Sequence, residues 1–229
     1  MKGSVVFVTG TGTGVGKTVF AAALTRHLRK RGINVAALKP ICSGGRDDAR
    51  ALRAASGNAL PLDEVNPWHF RAPLSPLLAA RMEGRRVSQA QVVARVRAAA
   101  RQFEFAVVEG AGGLLSPLGE GFDSRELLLA LRATPIVVCP NELGAVNQVL
   151  LVLGALPQTA ANRTQIVLMN PRRLDLAAST NLELLAESVD HRRIHAFAWL
   201  GKDPLAASTS ENSVVQESLN RLVRVIAPI

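Results

Sequence analysis

Tyrosine is absent from this chain of 229 residues, and aromatics of all kinds make up only 4% of it. That scarcity argues against the aromatic platforms on which single-stranded nucleic acids stack. Cysteine is nearly absent as well. Cys42 and Cys139 are too few for a disulfide framework or a zinc site of their own, and both read as free thiols. No apolar run approaches the length of a membrane span. The start of the chain, Met1 to Val8, enters a strand-like run instead of a secretory leader, so the expected location is cytoplasmic with no membrane partner. Internal repeats and linkers rich in Gly, Pro and Ser are also missing. What remains is 48% hydrophobic and 20% charged, enough apolar material for one substantial core. A single domain over 1–229 is the expectation.

Lysine is scarce too. Five lysines stand against 22 arginines, and together they give a net charge of +9. Such a charge attracts polyanions in general. The arginines, however, are scattered along helices, with no block of five or more, so no nucleic-acid partner is expected.

Short apolar runs alternate with helical patterns from end to end, which is the mark of a mostly parallel, twisted α/β sheet with helices on both faces. Ser4–Thr9 is apolar and β-branched at consecutive positions, as a strand buried on both faces should be. Further strands are expected at 33–38, 105–108, 134–139, 165–169 and 193–198. Helices are expected at 18–31, 88–103, 124–132, 145–156, 177–189 and 212–226. In the first of these, Phe20, Ala23, Leu24, His27 and Leu28 form one stripe, and Gly32 stops it. The proline-rich stretch 57–76 reads as an ordered excursion off the sheet.

Between the first strand and first helix lies Gly10-Thr11-Gly12-Thr13-Gly14-Val15-Gly16-Lys17-Thr18. Glycines let successive N–H groups turn toward one anion, and the helix start adds its positive dipole end. Lys17 supplies a charge for the β and γ phosphates, and the Thr18 hydroxyl suits Mg²⁺. Five residues separate Gly10 from Gly16, where the common phosphate-loop pattern has four, so this is a variant loop in a P-loop NTPase-like fold. A glycine-rich turn with no ligand would not need Lys17-Thr18.

Three more clusters stand where strands end, the rim at which parallel sheets bind ligands. Lys39-Pro40-Ile41-Cys42-Ser43 closes the second strand, Asp47-Asp48 opens a helix, and Glu109-Gly110-Ala111-Gly112-Gly113 follows Val107-Val108. A carboxylate at the end of a buried strand can reach the metal of a triphosphate. Each cluster alone has a bland reading: a solvated lysine, or acidic residues favouring a helix start.

Taken together, the pieces resemble dethiobiotin synthetases. The resemblance rests on GTGTGVGKT at 10–18, LKPICSG at 38–44, Asp48-Ala49, VNPW at 65–68, APLSP at 72–76, VEGAGG at 108–113 and LGAVNQ at 143–148. It implies an ATP- and Mg²⁺-dependent closure of 7,8-diaminononanoate with CO₂, through a carbamate and a carbamic–phosphoric anhydride. It also implies roles by position. Lys17 and Lys39 would act on the reacting groups. Thr13, Gly14, Val15, Gly16, Lys17, Thr18, Glu109 and Gly112 would hold the nucleotide, with Asn170 at its base. Thr18, Asp48 and Glu109 would hold the metal. Thr13, Lys39, Ser43, Gly112 and Gly113 would meet the substrate, whose carboxylate would lie near Leu143, Gly144 and Asn147 contributed by the partner in a homodimer.

The chain departs from the family at Gly14, where several members carry an acidic residue, and at Ala198-Trp199, where members often show Pro-Trp. The alternative is a nucleotide-switch ATPase of the partition or division-site type. Many of those place a second lysine at the position of Gly12, and this chain does not. Amidating ligases of the cobyric acid family share the loop but need a glutaminase domain for which 229 residues leave no room.

Overall fold

A computed structural model describes residues 3–201, 203–205 and 213–227. Met1, Lys2 and residue 212, the expected start of the last helix, lie outside the described residues. In chain order the elements are β1 (Ser4–Gly10), α1 (Lys17–Lys30), β2 (Val35–Leu38), β3 (Ile41–Ser43), α2 (Asp47–Ala55), α3 (Leu62–Val65), β4 (Trp68–Phe70), α4 (Pro76–Met82) and α5 (Gln89–Ala100). They continue with β5 (Phe105–Glu109), β6 (Pro117–Gly119), β7 (Phe122–Asp123), α6 (Ser124–Leu131), β8 (Thr134–Pro140), α7 (Ala145–Gly154), α8 (Gln158–Ala161), β9 (Gln165–Met169), α9 (Leu176–Ala186), β10 (Ile194–Phe197) and α10 (Ser213–Ile226).

Six strands form one parallel sheet in the order β10-β9-β8-β1-β5-β2. The sheet is covered on both faces, and β1 shows how. Val6 and Val8 pack toward Phe20 and Leu24 of α1 and Leu219 and Leu222 of α10, whereas Phe7 packs on the opposite side with Val96 of α5 and Leu127 of α6. Consecutive residues of a strand point to opposite faces, so a run apolar at every position is what a doubly covered strand requires. Phe20 and Phe197 meet edge to face at 5.5 Å between ring centres, fixing α1 against β10. His195 is buried on β10, with Nε2 3.0 Å from Gln165 Oε1, and burial followed by the charge of Arg221 pushes it down to about 4. It is a neutral core residue.

The six main strands and six long helices lie where the sequence expects them, within a few residues. The excursion is more structured than its prolines suggest. β4 pairs in parallel with β3 in a separate two-stranded sheet, and α3 and α4 flank it. Asn66 holds this unit to the main sheet: its Nδ2 donates to the Lys39 carbonyl at 2.7 Å, and Lys39 N–H donates to Val65 O at 2.9 Å. The β6–β7 hairpin was likewise not expected from periodicity, being too short to show any.

Candidate active site

β1 ends at Gly10 and the chain crosses toward β8, where Thr11 N–H donates to Val138 O at 3.0 Å. Gly16 caps α1 with φ at 95°, a conformation L side chains avoid, and a Cβ there would press on Met169 at 3.0 Å. α1 therefore begins at Lys17, whose ammonium folds back over the loop to donate to Gly12 O at 2.6 Å. Burial, followed by the neighbouring charge of Lys39, pushes Lys17 down to about 8. No side chain caps the first turn of α1, so its N-terminal donors remain available to an anion.

Lys39 has the opposite character. Its ammonium donates to Glu109 Oε1 at 2.5 Å and Gly110 O at 3.1 Å, and lies 3.3 Å from Asp48 Oδ2. Burial works to lower its pKa, but Glu109 and then Asp48 outweigh that and raise it. Lys39 is a fixed cation, fully held at its tip. Glu109 ends β5 and is 1% exposed, whereas Asp48 in the first turn of α2 is half exposed. The Thr18 hydroxyl donates to Glu109 Oε1 at 2.9 Å, tying α1 to β5.

The donor set fits a magnesium ion. Glu109 Oε2 is buried and has no hydrogen-bond partner, an arrangement that costs stability unless something else engages it. Thr18, Asp48 and Glu109 offer hard oxygens, as Mg²⁺ prefers. Among the described residues no group of three or more His, Cys, Asp or Glu could hold a metal alone. Two carboxylates and a hydroxyl suit an ion that takes its other ligands from phosphates and water.

These groups open onto a cavity of about 680 Å³. Thr13, Gly14, Gly16, Lys17, Thr18, Lys39, Ser43, Asp48, Glu109 and Gly112 line it, so residues from 13 to 112 in sequence converge on one space. Gly113 is not among them. Its N–H, expected to face the substrate, donates to Ser116 Oγ at 2.8 Å in the free chain. The cause is the turn at Gly112, with φ at 67°, which aims the next N–H at Ser116. Ser116 itself lines the cavity and was missed by sequence reasoning, although a serine three residues after a glycine pair is a turn signal. Ser43 also turns aside here, donating to Leu74 O at 2.5 Å. Cys42 and Cys139 are buried free thiols; burial raises both, Cys139 to about 11, so neither is a thiolate nucleophile.

A second cavity of about 470 Å³ adjoins the first across Gly14 and Gly16. Val15, Met169, Asn170, Pro171 and Trp199 line it. Asn170 follows directly on β9 and thus sits at the strand-end rim with Glu109 and Lys39. Leu143, Gly144 and Asn147 belong to neither cavity. They lie exposed at the start of α7, with Leu143 at 86%.

A family model described as an AAA domain matches residues 4–202. The ATP-dependent dethiobiotin synthetase of Anaeromyxobacter dehalogenans (strain 2CP-C) is 46% identical over 71% of this chain and 75% of its own length. That of Akkermansia muciniphila is 37% identical over 80% and 86%, and that of Methanocaldococcus jannaschii 34% identical over 71% and 78%. Among solved structures, a ParA family ATPase from Chlorobium tepidum TLS superposes with a TM-score of 0.59 at 13% identity over all of both chains. A chain of the MinC:MinD cell division protein complex of Aquifex aeolicus superposes with a TM-score of 0.62 at 14% identity over 96% of both. The distant structural likeness shows a P-loop α/β fold, and the much closer sequence relatives place the chain within it: it belongs to the dethiobiotin synthetase family.

Proposed function

We propose that this chain is an ATP-dependent cyclo-ligase that closes 7,8-diaminononanoate with CO₂ to dethiobiotin, working as one P-loop α/β domain in the cytoplasm. The observation that carries the reading is the buried Lys39, held by Glu109 and Asp48 beside the Lys17–Thr18 loop at the floor of one cavity. Two anions, a carbamate and a triphosphate, must approach each other for the reaction to start. Fixed cations and backbone donors lower the repulsion between them.

In this reading one substrate amine captures CO₂ and loses a proton, giving a carbamate. A carbamate oxygen attacks the γ phosphorus while the bond to the ADP oxygen breaks. The second amine then attacks the carbonyl carbon of the mixed anhydride, phosphate leaves, and the ring closes with loss of a proton. Lys17 follows the phosphates, being held at its tip by a single backbone carbonyl. Lys39 stays fixed and marks the meeting point. Thr13 and Gly112 line the same space, and Ser116 presents the hydroxyl that accepts from Gly113. Mg²⁺ on Thr18, Asp48 and Glu109 would neutralise phosphate charge when bound. This chemistry needs no covalent nucleophile, because positioning with electrostatics suffices for phosphoryl transfer.

The exposed Leu143, Gly144 and Asn147 support a shared site in a C2 homodimer, because they reach neither cavity of their own chain. The large apolar side chains Leu143 and Leu151 at the surface are in keeping with a covered face. Mixing two inactive variants, Lys17→Ala and Asn147→Asp, should restore about one quarter of the sites in a random mixture, since each mixed dimer regains one intact site. Recovery of nothing would place each site within one chain. For the reaction itself the test is mass spectrometry of the product formed from the diamine, isotope-labelled bicarbonate and ATP. A labelled cyclic urea is expected. ATP turnover that ignores the diamine and bicarbonate but answers to a protein or DNA would favour a nucleotide switch.

A further inference from the structure

Three asparagine side chains form a chain of amides that ends in the smaller cavity. Asn181 in α9 donates through Nδ2 to Asn141 Oδ1 at 2.9 Å and to the Glu142 carbonyl at 2.9 Å. Asn141, directly after β8, donates through Nδ2 to Asn170 Oδ1 at 2.8 Å and to the Ala178 carbonyl at 2.8 Å. Asn141 is 4% and Asn181 6% exposed, so both lie where an unmet amide is costly.

The direction of this chain is fixed from outside it. A backbone carbonyl only accepts, so the Glu142 carbonyl identifies the donor end of Asn181 and the Ala178 carbonyl that of Asn141. With both donor ends fixed, the Asn170 oxygen is the acceptor that faces Asn141. The Asn170 Nδ2 group is then the end left over, with no partner among the described residues. Asn170 is half-buried, lines the 470 Å³ cavity and is held at its backbone by Asn170 N–H donating to Phe197 O at 2.9 Å.

We infer that Asn141 and Asn181 are positioning residues that hold the Asn170 amide with its N–H outward, so that the smaller cavity selects a purine by a ring nitrogen acceptor. This rests on the reading of that cavity as the nucleotide-base site. An amide free to rotate would present oxygen or nitrogen equally and would lose part of any hydrogen bond to ordering. A relay anchored on two carbonyls removes that freedom before the ligand arrives. It adds nothing to the phosphates, which bind on the far side of Gly14 and Gly16.

The experiment compares calorimetric binding of ATP with that of inorganic tripolyphosphate, which has no base, alongside steady-state kinetics. Asn170→Asp keeps an acceptor for Asn141 but has no N–H to offer. Asn181→Leu keeps the approximate volume but unhooks Asn141. Each is expected to weaken ATP about tenfold, as the loss of one oriented hydrogen bond does, with KM for ATP raised in step and tripolyphosphate binding unchanged. ATP binding equal to the parent's in Asn170→Asp overturns the outward N–H, and that variant decides the matter even where Asn181→Leu does not fold. In a folded Asn181→Leu, unchanged ATP binding, or an equal loss for both ligands, overturns the relay. If the parent binds tripolyphosphate as tightly as ATP, the cavity is no base site, and the inference falls with that reading.

Discussion

The rim of the sheet is divided between two kinds of polar group. At the ends of β1, β2 and β5 the groups are charged or are backbone donors: Lys17, Lys39, Glu109, Asp48 and the glycine turns. At the ends of β8 and β9 they are neutral amides, Asn141 and Asn170, backed by Asn181. Charge acts over several ångströms and tolerates some disorder in the side chain, so Lys17 can be held by one carbonyl and still serve. A neutral amide acts only along its own bond directions, and here it is fixed by four hydrogen bonds of 2.8 to 2.9 Å. The contrast explains why the two cavities should fail differently when altered. Damage on the charged side should strike turnover, and damage on the amide side should strike nucleotide affinity.

The sharpest test of that division is Lys17→Ala. Removing this cation should lower kcat/KM by about a thousandfold, the scale at which preorganised charge contributes to phosphoryl transfer. The melting temperature should stay near that of the parent, because Lys17 stands at the very start of α1 and its ammonium meets only a loop carbonyl among the described residues. Near-normal turnover would erase the contrast. Next come Glu109→Gln and Asp48→Asn, read by titrating Mg²⁺ at saturating ATP. Glu109 is buried with one oxygen unpartnered, so its variant should raise the Mg²⁺ required by about tenfold or more, and that of the half-exposed Asp48 by less. Equal Mg²⁺ dependence in parent and variants would remove both from the metal site.

A third test uses proton binding. Lys17 sits at about 8 in the free protein, lowered by burial and then by Lys39. Above that pH it loses its charge, so kcat/KM for ATP should fall by about tenfold per pH unit. Saturating ATP should hide the fall, since bound phosphate favours the charged lysine. Lys39, raised by its carboxylates, should not contribute to it. Lys17→Arg should be slower at neutral pH yet flat through this range, because a guanidinium keeps its proton. A parent profile equally flat to pH 10 would mean that Lys17 is not the group in question.

The same division accounts for what the sequence disclosed. Glycines, lysines and strand-end carboxylates on the charged side are packed into runs of ten residues or fewer, because one loop must wrap one phosphate chain. Their spacing is their geometry. Ser4–Thr9 was legible as a doubly buried strand for a similar reason, since each residue faces one of two cores. Asn141 and Asn181 carry no such trace. They lie 40 positions apart on different elements, and only the crossing of α9 over the end of β8 brings them together. Asn66 joins Lys39 in the same way, across the proline-rich excursion. The small β3–β4 sheet was hidden because three residues are too few to show a period.

Gly113 and Ser116 supply the smallest expected effect, and the one that tests how far backbone donors are interchangeable. The glycine N–H is committed to Ser116 Oγ, and the serine hydroxyl proton has no acceptor among the described residues while its side chain lines the cavity. Ser116 would therefore pass the donor on: it accepts from Gly113 and, in the proposed reaction, would offer its own O–H to the substrate anion. Ser116→Ala deletes that O–H, but it also frees the Gly113 N–H, which then faces the same space. One donor replaces another, displaced by the length of the lost side chain, so kcat/KM for the diamine should fall by only about threefold to fivefold. KM for ATP should be unchanged. Ser116→Thr keeps both hydrogen bonds and should restore the parent's rate. A loss as large as that of Lys17→Ala would show that the freed N–H cannot substitute and that the serine hydroxyl is itself essential. No loss at all would return Gly113 to the role of direct donor, with Ser116 closing the turn and nothing more.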